Sequence, residues 1–319
     1  MKQKQTLPLD AKIKLAKQRI KEWYEYWDGQ VYISFSGGKD STVLMHIVKE
    51  MYPDVPVVFV DTGLEYPEVR KFAIENADEV LRPKKKFTEI LSECGYPIVS
   101  KQVAEAIEYG RKNLKEGKET VRLRQLLGLE KLDNGKPSMF NKTKWKYLLY
   151  TDFKISNKCC HYMKKAPVAK YSKQTKRMPI VGTMADESAQ RTASYAKHGC
   201  NAFTGKTPMS KPLSVWKEQD VLQYIVEYQI PYASVYGDIV KNDDGQYYCT
   251  QCDRTGCVFC AFGAHLQKEP NRFQRLKETH PKLYNYCIGG GYYDEDGIWK
   301  PNKEGLGMGH VLDEIGVKY

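Results

Sequence analysis

The sequence predicts an α/β protein, a Rossmann-like parallel sheet flanked by helices, with a basic insertion and an irregular Cys-rich C-terminal region. Three observations lead there. A β-rich run at 31–35 turns through two glycines into helical apolar spacing over 41–51, and a β-branched run follows at 57–60; this is a βαβ unit, whose strands must be parallel. Strand candidates at 79–81 and 179–181 then alternate with helical patterns over 67–75, 101–113, 187–197 and 217–228. Finally, 319 residues at 41% hydrophobic content can bury one large α/β core plus an appended region.

Taken in order, residues 10–27 read as a leading helix, with Asp10 as N-cap and Ile13, Ala16, Ile20, Trp23, Tyr24 and Trp27 on one face. Residues 111–150 read as an insertion: eleven Lys and Arg stand against four acids, interleaved with Trp145, Tyr147 and Tyr150, around the turn signal Asp133-Asn134-Gly135. Beyond about 233, Gly, Asp, Tyr and Cys crowd together, and helical periodicity returns only near 269–280. The expected division is therefore a nucleotide-binding domain over 1–232 and a Cys-rich region over 233–319 that completes a metal-cluster site. Its Gly-rich stretch from 289 onward is expected to be loop-like.

No run approaches the roughly 20 apolar residues that span a bilayer, and the first residues are charged, so a cytoplasmic protein without membrane contact is expected. The nine cysteines then read as metal or thiol chemistry, since an odd count of reduced thiols makes no disulfide framework. A formal charge of +11 favours an anionic partner such as a nucleotide, a nucleic acid or an acidic protein.

Ser36-Gly37-Gly38-Lys39-Asp40-Ser41 sits where a strand hands over to a helix, and there unpaired N–H groups and the helix dipole converge on an anion. The glycines open the backbone, Ser36 and Ser41 offer hydroxyls, and Lys39 adds charge; Ser34 lies just before on the strand. The spacing is neither Walker A nor GxGxxG. The hexapeptide resembles the SGGxDS loop of the PP-loop ATP-pyrophosphatase superfamily of adenine nucleotide α-hydrolases. Two further segments resemble loops of its adenylylsulfate and phosphoadenylylsulfate reductase-like family. Val60-Asp61-Thr62-Gly63-Leu64-Glu65-Tyr66-Pro67 is similar to the second nucleotide loop, and the run from Gly182 to Arg191 to the arginine loop, whose Arg contacts the anionic end of the nucleotide. The resemblance implies an adenosine nucleotide, either ATP or a sulfonucleotide, held by Ser34, Ser36 to Ser41, Asp61, Thr62, Gly63, Gly182 and Arg191, with Lys39, Asp61 and Arg191 in catalytic roles.

Cys159-Cys160, followed by Lys164 and Pro167, resembles the CC-x3-K-x2-P pattern of cluster-bearing reductases, and Gly256-Cys257-Val258-Phe259-Cys260 their partner motif. The resemblance implies a [4Fe–4S] cluster on Cys159, Cys160, Cys257 and Cys260. A zinc site from Cys249, Cys252, Cys257 and Cys260 is the competing reading, although only four residues separate its two CxxC pairs. His161 and His265 adjoin these motifs, and Cys94, Cys200 and Cys287 read as small packed thiols.

The family's reductases attack the sulfonyl sulfur with a cysteine of a C-terminal tail, and Cys287 is the last cysteine here. Three functions compete. The first is reductase-like sulfur chemistry that uses Cys287 and an external thiol or sulfur-donor protein. The second is an ATP-dependent adenylyl or sulfur transferase using Mg²⁺ on Asp40 or Asp61, which acts on nucleic acid or another acceptor. The third is a non-catalytic subunit that binds nucleotide and cluster. Lys and aromatic side chains of the insertion also suit single-stranded nucleic acid.

Overall fold

Leu9–Tyr26 forms the leading helix and buries Ile13, Ala16, Ile20 and Trp23 at the spacing read from the sequence. Its cap differs from expectation. The extended residue before it is Pro8, and Asp10 lies inside the first turn, where a carboxylate meets the positive end of the helix dipole. Lys12 is buried on this helix because its ammonium reaches both carboxylate oxygens of Asp220, at 2.7 and 2.8 Å. The computed structural model describes every residue except Asp133, Met139 and Lys206, so Asp133 of the anticipated turn lies outside the described residues.

The chain divides into two units, residues 1–83 with 166–257 and residues 84–165 with 258–319. The first holds a six-stranded sheet in the order Glu79–Leu81, Val57–Val60, Val31–Phe35, Met178–Val181, Met209–Ser210, Asn201–Ala202. Every pairing is parallel except the last, which is antiparallel. Side chains alternate across the sheet as its period of two requires. Val31, Ile33, Phe35, Val57 and Phe59 join Ile20, Trp23, Val43, Ile47, Val221 and Ile225 in one core, whereas Tyr32 and Val58 pack with Tyr171 in another. Burial on both faces is why the central strands read as continuous apolar runs.

The chain leaves Val31–Phe35 toward one edge of the sheet and returns to its other side at Met178–Val181, so the strand order reverses between these two neighbours. Open parallel sheets bind ligands at the carboxyl ends of strands at such a point. Segments 36–41 and 182–191 depart from those two carboxyl ends.

In the second unit, Ile98–Val99 pairs in parallel with Ala261–Phe262, and Tyr292–Tyr293 pairs antiparallel with Trp299–Lys300. Its helices include Phe87–Cys94, Lys101–Lys115, Val121–Leu127, Arg272–Thr279 and Pro281–Ile288, with a 3-10 helix over Thr143–Tyr150. The stretch expected to be loop-like also contains the helix Met308–Glu314, which buries Met308, Val311 and Leu312 at i, i+3 and i+4. Within 111–150, Leu123, Leu126, Leu148 and Leu149 are buried. Arg111 belongs to this packing: its guanidinium donates to the Leu148 and Phe153 carbonyls, both at 2.6 Å.

Candidate nucleotide site and cysteine motifs

The helix Lys39–Met51 begins directly after the Ser36-Gly37-Gly38 turn, with extended Gly38 as its N-cap. Gly37 has φ +72°, and a Cβ there would stand 2.8 Å from the Val69 carbonyl oxygen, so both its backbone and its surroundings require glycine. Gly38 meets nothing closer than 3.4 Å, so neither its backbone nor its neighbours require glycine there. Ser41 Oγ donates to the Gly38 carbonyl at 2.9 Å and accepts from Ser36 N–H at 3.2 Å, and the two seryl hydroxyls lie 3.0 Å apart. The loop is thus held in shape by its own hydroxyls.

Lys39 is placed differently from the simple expectation of a charge added to the loop. Its buried ammonium lies 3.1 Å from Glu218 Oε1, 3.4 Å from Cys249 Sγ and 5.1 Å from the centroid of the Tyr236 ring. Tyr236 Oη accepts from the Lys39 backbone N–H at 3.4 Å and stands 2.6 Å from Thr255 Oγ1. These contacts tie the Cys-rich segment of the first unit to the head of the phosphate-loop helix.

Asp61 ends the strand Val57–Val60 and is clasped by Arg70 from the helix Pro67–Asn76, through Nε and Nη2, each at 2.7 Å. That bidentate pair holds the Asp61 carboxyl below its ordinary value and saturates most of its lone pairs. Thr62 is turned inward, its hydroxyl donating to Glu65 Oε1 at 2.7 Å and accepting from the Leu64 N–H at 3.1 Å.

Gly182 brings the arginine loop against the phosphate loop. A Cβ at 182 would stand 2.8 Å from the Asp40 carbonyl oxygen and 3.0 Å from Ser41 Cα, so the two backbones touch where any side chain would separate them. The helix Ala189–His198 follows, capped by Ser188 Oγ accepting from the Arg191 N–H. Glu187 pairs with Arg191 and also accepts from Arg254 Nη2 at 2.7 Å. Burial pushes the Asp40 carboxyl up, while Lys39, Arg254 and Arg191 pull it down. Burial and then the charge of Arg254 hold Arg191 below its ordinary value, and burial followed by Arg191 does the same to Lys211. Arg191 and Arg254 therefore bring positive charge to Asp40 of this loop, and Lys211 lies near Arg191. Sequence reasoning missed Arg254 and Lys211. Arg254 lies inside Cys252-Asp253-Arg254-Thr255-Gly256-Cys257, a segment read only for its thiols.

Cys159 and Cys160 precede a π-helical turn, His161–Lys165, a local irregularity frequent at functional sites. The Cys160 thiol is pulled down to about 5, first by the Cys159 hydrogen bond and then by the positive charges of Lys101, Lys164 and Lys165, despite partial burial. A thiolate is what iron or zinc takes, so the donor chemistry of this pair fits a metal-cluster ligand. Among the described residues, however, no three Cys, His, Asp or Glu side chains form a metal-binding group. In the alternative zinc set, Cys249 Sγ accepts from the Lys39 ammonium and Cys252 Sγ donates to the Arg254 carbonyl at 3.2 Å. Cys287, the candidate nucleophile, is wholly buried in the helix Pro281–Ile288, and burial pushes its thiol up. That environment disfavours the thiolate that nucleophilic attack requires and suits the other reading of Cys287, a small packed thiol.

Residues 30–96 and 111–262 match the model of the phosphoadenosine phosphosulfate reductase domain. An uncharacterized protein of Methanocaldococcus jannaschii is 26% identical over 304 residues, covering 88% of this chain and 54% of that protein. The chain spans about half the length of the curated relatives it matches. Among solved structures, the phosphoadenylyl-sulfate reductase of Candida auris aligns over 72% of this chain and 89% of that one, at TM-score 0.37 and 13% identity. A U34-tRNA thiolase of Methanococcus maripaludis, solved with its [4Fe-4S] cluster, aligns over 70% and 66%, at TM-score 0.34 and 18% identity.

Proposed function

Because the chain belongs to the phosphoadenosine phosphosulfate reductase domain family, we propose that it is an enzyme which binds an adenosine nucleotide at the 36–41 and 182–191 loops and uses it for sulfur chemistry. The observation that carries this reading is the contact of Gly182 with Asp40 and Ser41, together with the charges of Arg254 and Arg191 acting on the Asp40 carboxyl. Those amides and guanidiniums would bind the anionic end of the nucleotide and stabilise the charge that grows on the departing group. Glu187 would be displaced from the two arginines as the ligand's anion arrives.

Two chemistries suit such a site. In the reductase form, a thiolate attacks the sulfonyl sulfur, the sulfur–oxygen bond to phosphate breaks, and the adenosine phosphate leaves; with Cys287 buried, that thiolate would come from another residue or an external thiol. In the ATP-dependent form, an acceptor oxygen attacks the α-phosphorus and pyrophosphate leaves, so no buried thiol is called upon. The setting of Cys287 favours the second form. Asp61 is engaged by Arg70, which makes Asp40 the carboxylate nearer to hand for Mg²⁺.

A cluster on Cys159, Cys160, Cys257 and Cys260 is part of the proposal. It is supported by the paired motifs and by the thiolate character of Cys160, and when bound it would supply electron or sulfur chemistry. The test is anaerobic purification with iron and sulfide analysis, followed by equilibrium binding of Mg²⁺-ATP, adenylylsulfate and phosphoadenylylsulfate on the same sample. Tight binding of any of the three, with pyrophosphate or sulfite released in an acceptor screen, supports the enzyme. Absence of binding to all three defeats it. Iron below one cluster per chain defeats the cluster while leaving the nucleotide reading intact.

A further inference from the structure

The segment 111–150 carries seven units of the chain's formal +11, from eleven basic against four acidic residues. Its charges are not spread evenly. Arg122 pairs with Glu105, Arg124 with Glu119 and Glu130, and Lys112 and Lys118 with Glu116. Lys131, Lys136, Lys142, Lys144 and Lys146 make no ion pair among the described residues, so unneutralised charge gathers in the later half of the segment. The same stretch exposes Leu132, Phe140, Tyr147 and Tyr150, where a folded surface would ordinarily carry polar groups.

Thr143–Tyr150 is a 3-10 helix of eight residues, longer than this conformation usually persists. With three residues per turn, side chains at i, i+3 and i+6 eclipse into one straight row, and at roughly 2 Å of rise per residue successive members stand about 6 Å apart. Lys144, Tyr147 and Tyr150 make such a row, and all three are exposed, Tyr150 at 76%. The intervening Leu148 and Leu149 are buried and anchor the helix. Tyr147 is steadied by donating to the Glu314 carbonyl at 3.0 Å. Lys144 lies 5.1 Å above the Trp145 ring, whose other neighbours are Tyr147 and, edge-on, His265.

We propose that this row and the lysines beside it bind single-stranded nucleic acid. Cations fit the phosphates, and the tyrosine faces accept bases. A step of about 6 Å exceeds the roughly 3.4 Å between bases in a duplex strand, so the row suits bases drawn out of the stack. An acidic protein surface would be served by the charges alone and would leave the aromatic row without a role. The inference does not depend on the nucleotide-loop reading; if both hold, the bound strand is a candidate acceptor.

The test is fluorescence anisotropy with the whole chain, no nucleotide present, and a labelled mixed-sequence oligonucleotide as single strand and as duplex. The single strand should bind more tightly than the duplex. Tyr150→Ala should weaken it about tenfold, while Tyr150→Phe, which keeps the ring, should not. Lys144→Gln with Lys146→Gln should flatten the salt dependence by about 1.4 in the logarithmic slope, roughly 0.7 for each phosphate that is no longer neutralised. Duplex binding at equal or higher affinity overturns the proposal. So does a Tyr150→Ala variant that binds like the parent, or polyglutamate competing as strongly as the unlabelled strand. Gly38→Ala separates the two readings, since it strains neither backbone nor neighbours and should impair nucleotide binding while leaving oligonucleotide binding unchanged.

Discussion

Glu187 joins the two arginines of the candidate site. Its carboxylate meets both Arg191 and Arg254, and without an anion of this kind the two guanidiniums and Lys211 would repel one another. Arg254→Ala should remove a charge-assisted hydrogen bond, normally about 1.5–3 kcal/mol. Nucleotide affinity is therefore expected to fall at least tenfold, with little change in thermal stability because Arg254 is exposed. Isothermal titration of parent and variant measures it; an unchanged Kd would remove Arg254 from the site. Lys39 teaches a related point at this scale. Its position in the loop motif suggests an outward charge, yet its ammonium is buried among Glu218, Tyr236 and Cys249.

At the scale of elements, the segment after Val57–Val60 is held chiefly by the Asp61–Arg70 ion pair between a strand end and a helix, with Arg82 a second cation 3.7 Å from Asp61. Asp61 closes Val57–Val60, Arg70 stands on Pro67–Asn76, and Gly37 packs against Val69 and Ala73 of that same helix. The Asp61 carboxyl is held below its ordinary value, so its contribution to stability is complete above the unfolded carboxylate pKa of about 3.9 and is lost as pH falls through the lower, folded value. Asp61→Asn should therefore lower the melting temperature at neutral pH. The gap between parent and variant should close only in acid, below the ordinary carboxylate range. Thermal melts across pH decide it, and a gap that stays constant into acid would mean that Asp61 contributes by packing instead of charge.

Across the whole molecule, the two units carry different kinds of feature. The first bears segments 36–41 and 182–191 at the switch point of its sheet, and the second bears the Cys159-Cys160 pair, the basic segment and the buried Cys287. Cys287→Ser places a hydroxyl where an apolar thiol is packed. It should lower thermal stability of the whole chain while leaving nucleotide affinity and any sulfite or pyrophosphate release intact. Loss of sulfite release in a folded variant would restore Cys287 as a nucleophile.

The sequence by itself determined the parallel α/β core and the positions of its loops. Val31–Phe35, Lys39–Met51 and Val57–Val60 are legible because apolar periodicity and glycine punctuation are local properties, written over a few turns or pleats. The loop motifs are legible for the same reason. Partners distant in the chain are not: Arg254 meets Glu187 and Lys39 meets Glu218 and Cys249 only because the fold brings separate segments together. The helix Met308–Glu314 was hidden by the glycines around it, and burial of Met308, Val311 and Leu312 outweighs their weak local preference. Tertiary structure alone decided which charges gather together, which are spent on neighbours, and which thiol is sealed away, because desolvation and Coulomb interaction depend on distance in space and not on separation along the chain.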